Sequence, residues 1–248
     1  MKYLTIILLV LLWVPALSQE DKMKQADQLY EAQKYQEAVA MYEQILKEGK
    51  ESAELYYNLG NAYYKAGDYN NAILNYERAK LLAPNDKDIA FNLNIANQHV
   101  VTSINPLPRP FYIRWMNTVI DLNTTDKWAR ISIVSFIIFL ILLGLFIFSK
   151  SSRIKRATFL LGILCIALSL LTFSFASKQK SKLKNHNYAI VFCPRVTVKS
   201  SPSETGTDLF LIYEGLKVQV TDSLNNWMEV KLQDGNQGWL RDSCIVRI

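Results

Sequence analysis

The chain has 248 residues, of which half are hydrophobic and a fifth are charged, and its net charge is +6. An apolar share this high indicates a membrane protein. Eight of the 28 basic residues flank the two longest apolar runs. Without these eight, the chain has 20 basic residues and 22 acidic residues. The positive excess therefore belongs to membrane surfaces, and we expect no nucleic-acid partner.

Residues 1–18 have the features of a secretory signal. Lys2 precedes an unbroken apolar stretch over residues 4–14, and Ala16 and Ser18 are small residues at the positions that a signal peptidase reads. No cysteine follows the stretch, which argues against a lipoprotein anchor. An uncleaved anchor is the alternative, and both interpretations place the next segment outside the cytoplasm.

The segment that follows repeats itself with a period of 34 residues. Residues 35–38 return as residues 69–72, and Tyr42 returns as Tyr76. This period resembles that of tetratricopeptide repeats, which are pairs of helices. The second copy fits best, because Gly60 stands where two such helices cross closely.

We therefore predict an all-α tetratricopeptide-repeat domain over residues 19–104, made of two repeats and a capping helix. The capping helix resembles the first helix of a third repeat, with Ile89, Leu93 and Ala96 on one face. So short an array leaves a flank that another copy or a partner could cover. The predicted helices lie near residues 20–33, 35–48, 52–66, 69–82 and 86–100.

Repeat domains of this family bind peptides along a concave face, and the resemblance places seven residues of this chain there. Asparagines on that face would hydrogen-bond a peptide backbone, and tyrosines would pack its side chains. The alternative is that Tyr57 and Tyr64 only pack on neighbouring helices. Lys24 and Lys65 are the only candidates to clamp a peptide carboxylate, so we do not expect that mode. The seven residues are Asp27, Tyr30, Tyr57, Asn58, Asn61, Tyr64 and Asn92.

A proline-rich linker over residues 105–130 leads to the apolar runs. Its alternating prolines impose an extended backbone. Residues 111–121 are predicted to form a helix at the membrane interface, where rings such as Trp115 prefer to lie, and an ordinary linker is the alternative.

Residues 131–148 and 157–177 contain no charge, and each is long enough to cross a hydrocarbon core of about 30 Å. They predict a two-helix transmembrane hairpin, because nothing else in the chain is large enough to bury two such helices.

Charge and signal together predict the topology. The loop over residues 149–156 carries four basic residues and is predicted to be cytoplasmic. The basic linker over residues 178–187 opposes this topology and makes the charge bias across the membrane almost neutral. The signal therefore decides the orientation. We predict a bacterial inner-membrane protein with two spans, whose N-terminal and C-terminal domains are both periplasmic.

Residues 188–248 predict a small all-β domain, in which short runs of β-forming residues alternate with turns such as Asp234-Gly235. Their order resembles that of bacterial SH3-like barrels. The resemblance places Trp227, together with Phe210 and Tyr213, in a groove for a peptide or for peptidoglycan. Shielding of the barrel end by Trp227 is the alternative. The predicted strands cover residues 189–192, 196–199, 217–220, 227–232 and 238–240.

The cysteines and histidines indicate no catalytic or metal site. Cys193 and Cys244 are assigned to the first and last strands of the small all-β domain, which are neighbours in SH3-like folds. A disulfide is an option in an oxidising compartment, but we expect two free buried thiols. His99 and His186 lie in no recognisable catalytic motif, and there is no phosphate-binding or dinucleotide-binding glycine loop. We expect no enzymatic activity, no cofactor and no metal.

The chain as a whole resembles the BatE proteins of the Bat aerotolerance system of Bacteroidetes. The resemblance rests on the complete order of its segments: a signal, tetratricopeptide repeats, a proline linker, a two-span hairpin and an SH3-like domain. The resemblance implies partners that are membrane proteins with von Willebrand A-type domains and an associated MoxR-type ATPase. It also implies a role in tolerance of oxygen or envelope stress. Three hypotheses follow: a scaffold that binds partners through its repeats, a peptidoglycan- or peptide-binding sensor that acts through the SH3-like domain, and a holder of unfolded envelope proteins. The scaffold is favoured because the repeat motif is the more specific signal.

Overall fold

The computed structural model describes residues 14–101, 104, 107, 108, 110–184 and 187–248. His186 lies outside these residues, as does all of the apolar run of the predicted signal except Val14. The chain forms two compact units. The first combines the N-terminal helices with Asn187–Ile248, and the second is Pro108–His186.

Five helices follow one another in the described part of the first unit, and side chains cap three of them. Ser52, Asp68 and Asp86 each accept a hydrogen bond from a backbone N–H in the first turn of the next helix, which satisfies donors that a helix leaves unpaired. Within the described residues the first helix already includes Val14, six residues before its expected start. The helices are α1 (Val14–Glu31), α2 (Tyr35–Lys47), α3 (Ala53–Lys65), α4 (Tyr69–Leu82) and α5 (Lys87–Asn97).

Small residues allow these helices to cross closely. Ala26, Ala38 and Ala72 are fully buried. At Gly60 an added Cβ would lie 2.7 Å from the ring of Tyr76. Since real Cβ atoms do not approach a ring so closely, only glycine permits this contact between α3 and α4.

The C-terminal segment forms an antiparallel sheet of seven strands in the order β3-β2-β6-β5-β4-β1-β7. Alternate residues of its strands point into one apolar core, which includes Val198, Ile212, Val218, Val230 and Leu240. The strands are β1 (Tyr188–Val191), β2 (Arg195–Lys199), β3 (Asp208–Tyr213), β4 (Lys217–Leu224), β5 (Trp227–Lys231), β6 (Gln237–Arg241) and β7 (Ile245–Arg247).

Strand β3 is absent from the strands that the sequence predicts. Its apolar residues are consecutive and do not alternate with polar ones, and such a run does not distinguish a strand from a buried helix. Antiparallel pairing with β2, from Arg195 opposite Tyr213 to Lys199 opposite Asp208, makes it a strand.

Cys193 and Cys244 form a disulfide, so the expectation of two free thiols is wrong. Cys193 follows β1, and Cys244 precedes β7 in a short 3-10 helix. Because β1 and β7 pair with each other, the two sulfur atoms are brought together by tertiary structure across 51 residues of sequence.

The sheet packs directly against the repeat helices, an arrangement that the sequence does not predict. Ile190 of β1 belongs to the same buried cluster as Ile73 of α4 and Leu93 of α5. Glu77 of α4 forms an ion pair with Lys217 of β4, with Nζ and Oε2 2.6 Å apart. The sheet therefore covers the apolar flank that a further repeat would otherwise cover.

The second unit contains an antiparallel pair of long helices preceded by a short one. Ser132 and Ser169 each donate a hydrogen bond to the backbone carbonyl of the other at 3.0 Å, which joins the two long helices. The indole N–H of Trp128 donates to the carbonyl of Ile120 at 2.8 Å and ties the short helix to the pair. The helices are α6 (Phe111–Asp121), α7 (Thr125–Phe148) and α8 (Ser152–Lys184).

Both long helices are long and apolar enough to cross a membrane. Each extends beyond the uncharged run that the sequence marks, because a helical backbone continues through flanking polar residues until a cap or a turn ends it. Only three residues, 149–151, separate α7 from α8. Phe111, Tyr112 and Trp115 of α6 are exposed, as an interfacial helix requires.

Candidate functional site

A hydrogen-bonded unit lies on one face of the first repeat. The hydroxyl of Tyr42, on α2, donates to Oδ1 of Asp27, on α1, at 2.6 Å. Nδ2 of Asn58, on α3, donates to the same oxygen at 3.2 Å. One side-chain oxygen thus connects three helices.

The same unit occurs again 34 residues later. The hydroxyl of Tyr76 donates to Oδ1 of Asn61 at 2.7 Å, and Nδ2 of Asn92 donates to that oxygen at 2.9 Å. Asn92 lies on α5, so α5 occupies the position of the first helix of a third repeat. The structure thus extends the repeat geometry one helix beyond two complete copies.

Two adjoining cavities open along this face, and we call them together the groove. The first has a volume of about 270 Å³ and the second about 370 Å³. Tyr30 and Asn61 line both cavities, so the two cavities adjoin along this face. The first cavity is also lined by Asp27, Glu31, Tyr42 and Asn58, and the second by Tyr57, Tyr64, Lys65, Tyr76, Asn92 and Ile95.

Ring contacts also recur with the repeat period and hold the walls of the groove. The rings of Tyr30 and Tyr35 have centroids 5.4 Å apart, and so do those of Tyr64 and Tyr69. His99 stacks on Tyr69 with centroids 3.7 Å apart. The wall tyrosines are therefore held in place before any ligand arrives, which lowers the entropic cost of binding.

Burial raises the pKa of Tyr42, and its hydrogen bond to Asp27 acts in the same direction. Burial also raises the pKa of Tyr76. Both phenols therefore remain neutral donors at physiological pH. They form a fixed floor for the groove and do not act as acids.

All seven residues that the sequence assigns to the concave face line the groove. The two interpretations of Tyr57 and Tyr64 turn out to be compatible, because each tyrosine lines the second cavity and also packs on a neighbour. Tyr57 packs on Tyr76 with ring centroids 6.1 Å apart, and Tyr64 packs on Tyr69.

Five lining residues are missing from the predicted set. Tyr42 and Tyr76 belong to the second helices and are each 1 % exposed, and their hydroxyl groups donate to Asp27 and Asn61 in the groove. The signal that could have identified them is the buried hydroxyl itself, since such a group needs a partner. The other three are Glu31, Lys65 and Ile95.

The residues that the sequence assigns to a groove of a predicted SH3-like domain have other surroundings. Trp227 is 7 % exposed and lies under the guanidinium group of Arg241, 4.5 Å from the ring centroid. Phe210 packs against the core of the sheet. Tyr213 is half-buried on β3, which β2 and β6 separate from the β5 strand of Trp227. A ligand groove formed by these three residues stays a prediction.

Among the described residues, no three His, Cys, Asp or Glu side chains come together as a metal site. His99, the only histidine in the described part of the chain, stacks on Tyr69 and lies 3.4 Å from the hydroxyl of Tyr64. The arrangement in the groove can form hydrogen bonds and pack side chains.

Comparison with protein families matches residues 23–87 to the tetratricopeptide repeat family. Comparison with curated proteins finds no match. The family match covers α2, α3 and α4 together with the second half of α1, and these helices supply most of the groove. Tetratricopeptide repeats indicate protein–protein interaction, and residues 23–87 of this chain are similar to that family.

Proposed function

We propose that the protein is a non-enzymatic scaffold, held in the bacterial inner membrane by α7 and α8, that binds extended segments of partner proteins in the groove. The hydrogen-bonded unit of Asp27, Asn61 and their partners carries this proposal. It presents side-chain amides along the groove between tyrosine walls. Amides suit the backbone of an extended peptide, and tyrosines suit its side chains.

The bonds within each unit indicate how a peptide would be held. They use the oxygen of Asn61 and the nitrogen of Asn58 and Asn92. The nitrogen of Asn61 and the oxygen of Asn92 then complement the carbonyl and N–H groups of a peptide backbone. Backbone recognition of this kind favours unfolded segments or loops over folded surfaces.

Both terminal domains are proposed to lie in the periplasm. The contact between the sheet and the repeat helices supports their placement in one compartment, because surfaces in contact lie on the same side of a membrane. The two spans that separate them in the sequence fit this placement, since an even number of spans returns the chain to its starting side. The cytoplasmic loop would then be the short connection between α7 and α8. In this topology the groove is open to periplasmic partners and to the outer parts of membrane proteins.

Resemblance to BatE proteins supports a narrower form of the proposal. The partners would be membrane proteins with von Willebrand A-type domains, associated with a MoxR-type ATPase, and the process would be tolerance of oxygen or envelope stress. The C-terminal sheet would be an SH3-like barrel. In that case the groove would hold an extended segment of one of those membrane proteins.

Partner capture by the full chain in mild detergent tests the scaffold. The variant Glu31→Lys/Lys65→Glu reverses two exposed charges of the groove, while Glu37→Lys/Lys80→Glu makes the same two changes at exposed positions that line neither cavity. We expect discrete membrane proteins to co-purify with the wild type and the control, and to fall by about fivefold or more with the groove variant.

Equal capture by both variants would move the contact to the sheet or to the spans. If no protein co-purified and the full chain bound purified peptidoglycan, the sensor that acts through the SH3-like domain would replace the scaffold. Circular dichroism of both variants checks that the helices remain folded. The comparison is sharp because the two variants carry the same net charge.

A further inference from the structure

One chemical difference separates the two equivalent units of the groove. Asp27 and Asn61 occupy the same position in successive repeats, and each accepts a hydrogen bond from a buried tyrosine and another from the asparagine of the next repeat. The acceptor of the first unit is a carboxylate, and that of the second is a neutral amide. Since an amide supports the unit at the second position, the charge of Asp27 is not required to hold the helices.

The charge of Asp27 belongs to a cavity that contains a second carboxylate. Glu31 lies one helical turn later and also lines the first cavity, whose described lining contains no lysine, arginine or histidine. The negative charges of both residues act on the hydroxyl of Tyr42, raising its pKa in addition to the larger effects of burial and hydrogen bonding. Both carboxylates therefore face the same small volume.

The second cavity has the opposite character. Lys65 lines it, and no carboxylate appears among the described residues around it. Tyr30 lies between the two cavities and lines both of them. A peptide that lies along the groove therefore passes from an anionic region to a weakly cationic one.

We propose that the first cavity binds a lysine or arginine side chain of the extended segment, and that Asp27 sets this specificity. The inference rests on the proposed peptide-binding function of the groove. A cavity of about 270 Å³ can hold such a side chain. The carboxylates of Asp27 and Glu31 attract the cation, and Tyr30, which also lines the cavity, adds an aromatic ring beside a guanidinium or ammonium group.

The position of the segment in the groove follows from the same asymmetry. Its basic residue lies against α1 and α3, and the residues beyond it lie against α3 and α5 near Lys65. Neutral or acidic residues are favoured in that second part, because Lys65 repels a second cation. Asp27 is thus a specificity-determining residue, whereas Asn61 supports the backbone.

Degenerate nonapeptide pools test the assignment. Each pool has arginine, lysine, citrulline or glutamate at its central position, and citrulline is a neutral analogue of arginine. Full-length protein in lipid nanodiscs is immobilised and incubated with each pool, and the retained peptides are quantified by mass spectrometry. We expect the arginine and lysine pools to be retained about tenfold more than the citrulline pool, which corresponds to about 1.4 kcal/mol.

The chain supplies its own matched variants. Asp27→Asn installs the side chain that the second repeat already tolerates, and we expect it to reduce the preference for arginine over citrulline to less than about twofold. Glu31→Gln, at an exposed position, should reduce the preference without touching the hydrogen-bonded unit. Glu37→Gln removes the same charge outside the groove and should leave the preference unchanged.

Each outcome distinguishes the specificity from the function on which it rests. Equal retention of the arginine and citrulline pools by the wild type would overturn the cation assignment while leaving peptide binding intact. An equal loss in Glu37→Gln would show that only net charge matters and would also overturn it. If the wild type retained none of the four pools, both peptide binding and the cation specificity would be rejected.

Discussion

Two buried tyrosines do most to connect packing with function at the scale of single residues. Tyr42 and Tyr76 are each 1 % exposed, and their rings fill the space between helices. Their hydroxyl groups would be costly to bury without partners, so each is paired with an oxygen in the floor of the groove. Substitutions at these positions affect stability and binding together.

The free energy of unfolding should fall steeply at alkaline pH. Burial raises the pKa of Tyr42, Tyr63 and Tyr76 in the folded state, above the usual value of about 10 for an unfolded chain. The stability contributed by the neutral phenols is therefore fully present below about pH 10 and is lost as the pH rises further. Each such tyrosine contributes up to about 1.4 kcal/mol per pH unit in that range.

Urea unfolding of the detergent-solubilised chain between pH 8 and pH 11.5 measures this effect. Tyr42→Phe should be less stable than the wild type at pH 8, because its hydrogen bond to Asp27 is lost, and its stability should decline less steeply above about pH 10. The comparison removes the contributions of all other titratable groups, because both proteins share them. Equal slopes for the two proteins would contradict the prediction.

At the scale of elements, the last strand depends on connections outside its own ladder. β7 has three residues and lies at one end of the strand order, where it pairs with β1. The carbonyl of Arg247 accepts a hydrogen bond from the guanidinium group of Arg78, on α4, at 3.0 Å. The disulfide holds the start of β7 to the end of β1, so it also stabilises this contact with the repeats.

Removal of the disulfide should loosen β7 before the rest of the sheet. We expect Cys193→Ser/Cys244→Ser to lower the free energy of unfolding of the first unit by about 2–4 kcal/mol. Hydrogen exchange read by mass spectrometry should show faster exchange first in residues 245–248 and then in the facing part of α4. Cys165→Ser, in α8, is the control and should leave both segments unchanged. Unaltered exchange of residues 245–248 in the double variant would refute this role of the disulfide.

At the scale of the whole molecule, the sheet is a cap for the repeat array. The flank of α4 and α5 is apolar, and an uncovered flank would favour association with other chains. Residues of β1 and the C-terminus cover it, while polar pairs surround the contact. Asn70 donates to Glu214 at 2.7 Å, and Glu77 pairs with Lys217. Gly215 lies so close that an added Cβ would be 2.8 Å from Val100.

Charge reversal at this contact should separate the sheet from the repeats. Glu77 is 8 % exposed, so Lys217→Glu places two like charges in a partly buried site, and we expect a cost of about 2–3 kcal/mol. The second substitution Glu77→Lys should restore most of it. Exchange of α4 amides and thermal unfolding of the full chain report the change.

Lys199→Glu is the control for that experiment, because the pair of Lys199 and Asp208 joins β2 to β3 within the sheet. It should leave the exchange of α4 unchanged. A Lys217→Glu variant whose α4 exchanges as slowly as that of the wild type would show that the ion pair does not hold the cap. A failure of Glu77→Lys to rescue would show that the two charges do not act as a pair.

The sequence by itself determined the features that repeat or persist locally. The 34-residue period predicted the helix pairs, and the resemblance to tetratricopeptide repeats predicted the seven groove residues. Long uncharged runs predicted α7 and α8, and most of the strands followed from local β-forming runs. These signals are local because each depends on the faces of one element.

Only the tertiary structure decided the rest. The tyrosine hydroxyl groups reach the groove from the second helices, and the strand identity of β3 depends on its pairing with β2. The disulfide and the cap join segments that lie far apart in sequence, with α7 and α8 between the repeats and the sheet. No local pattern encodes such a contact, because its free energy appears only when both surfaces have formed and met.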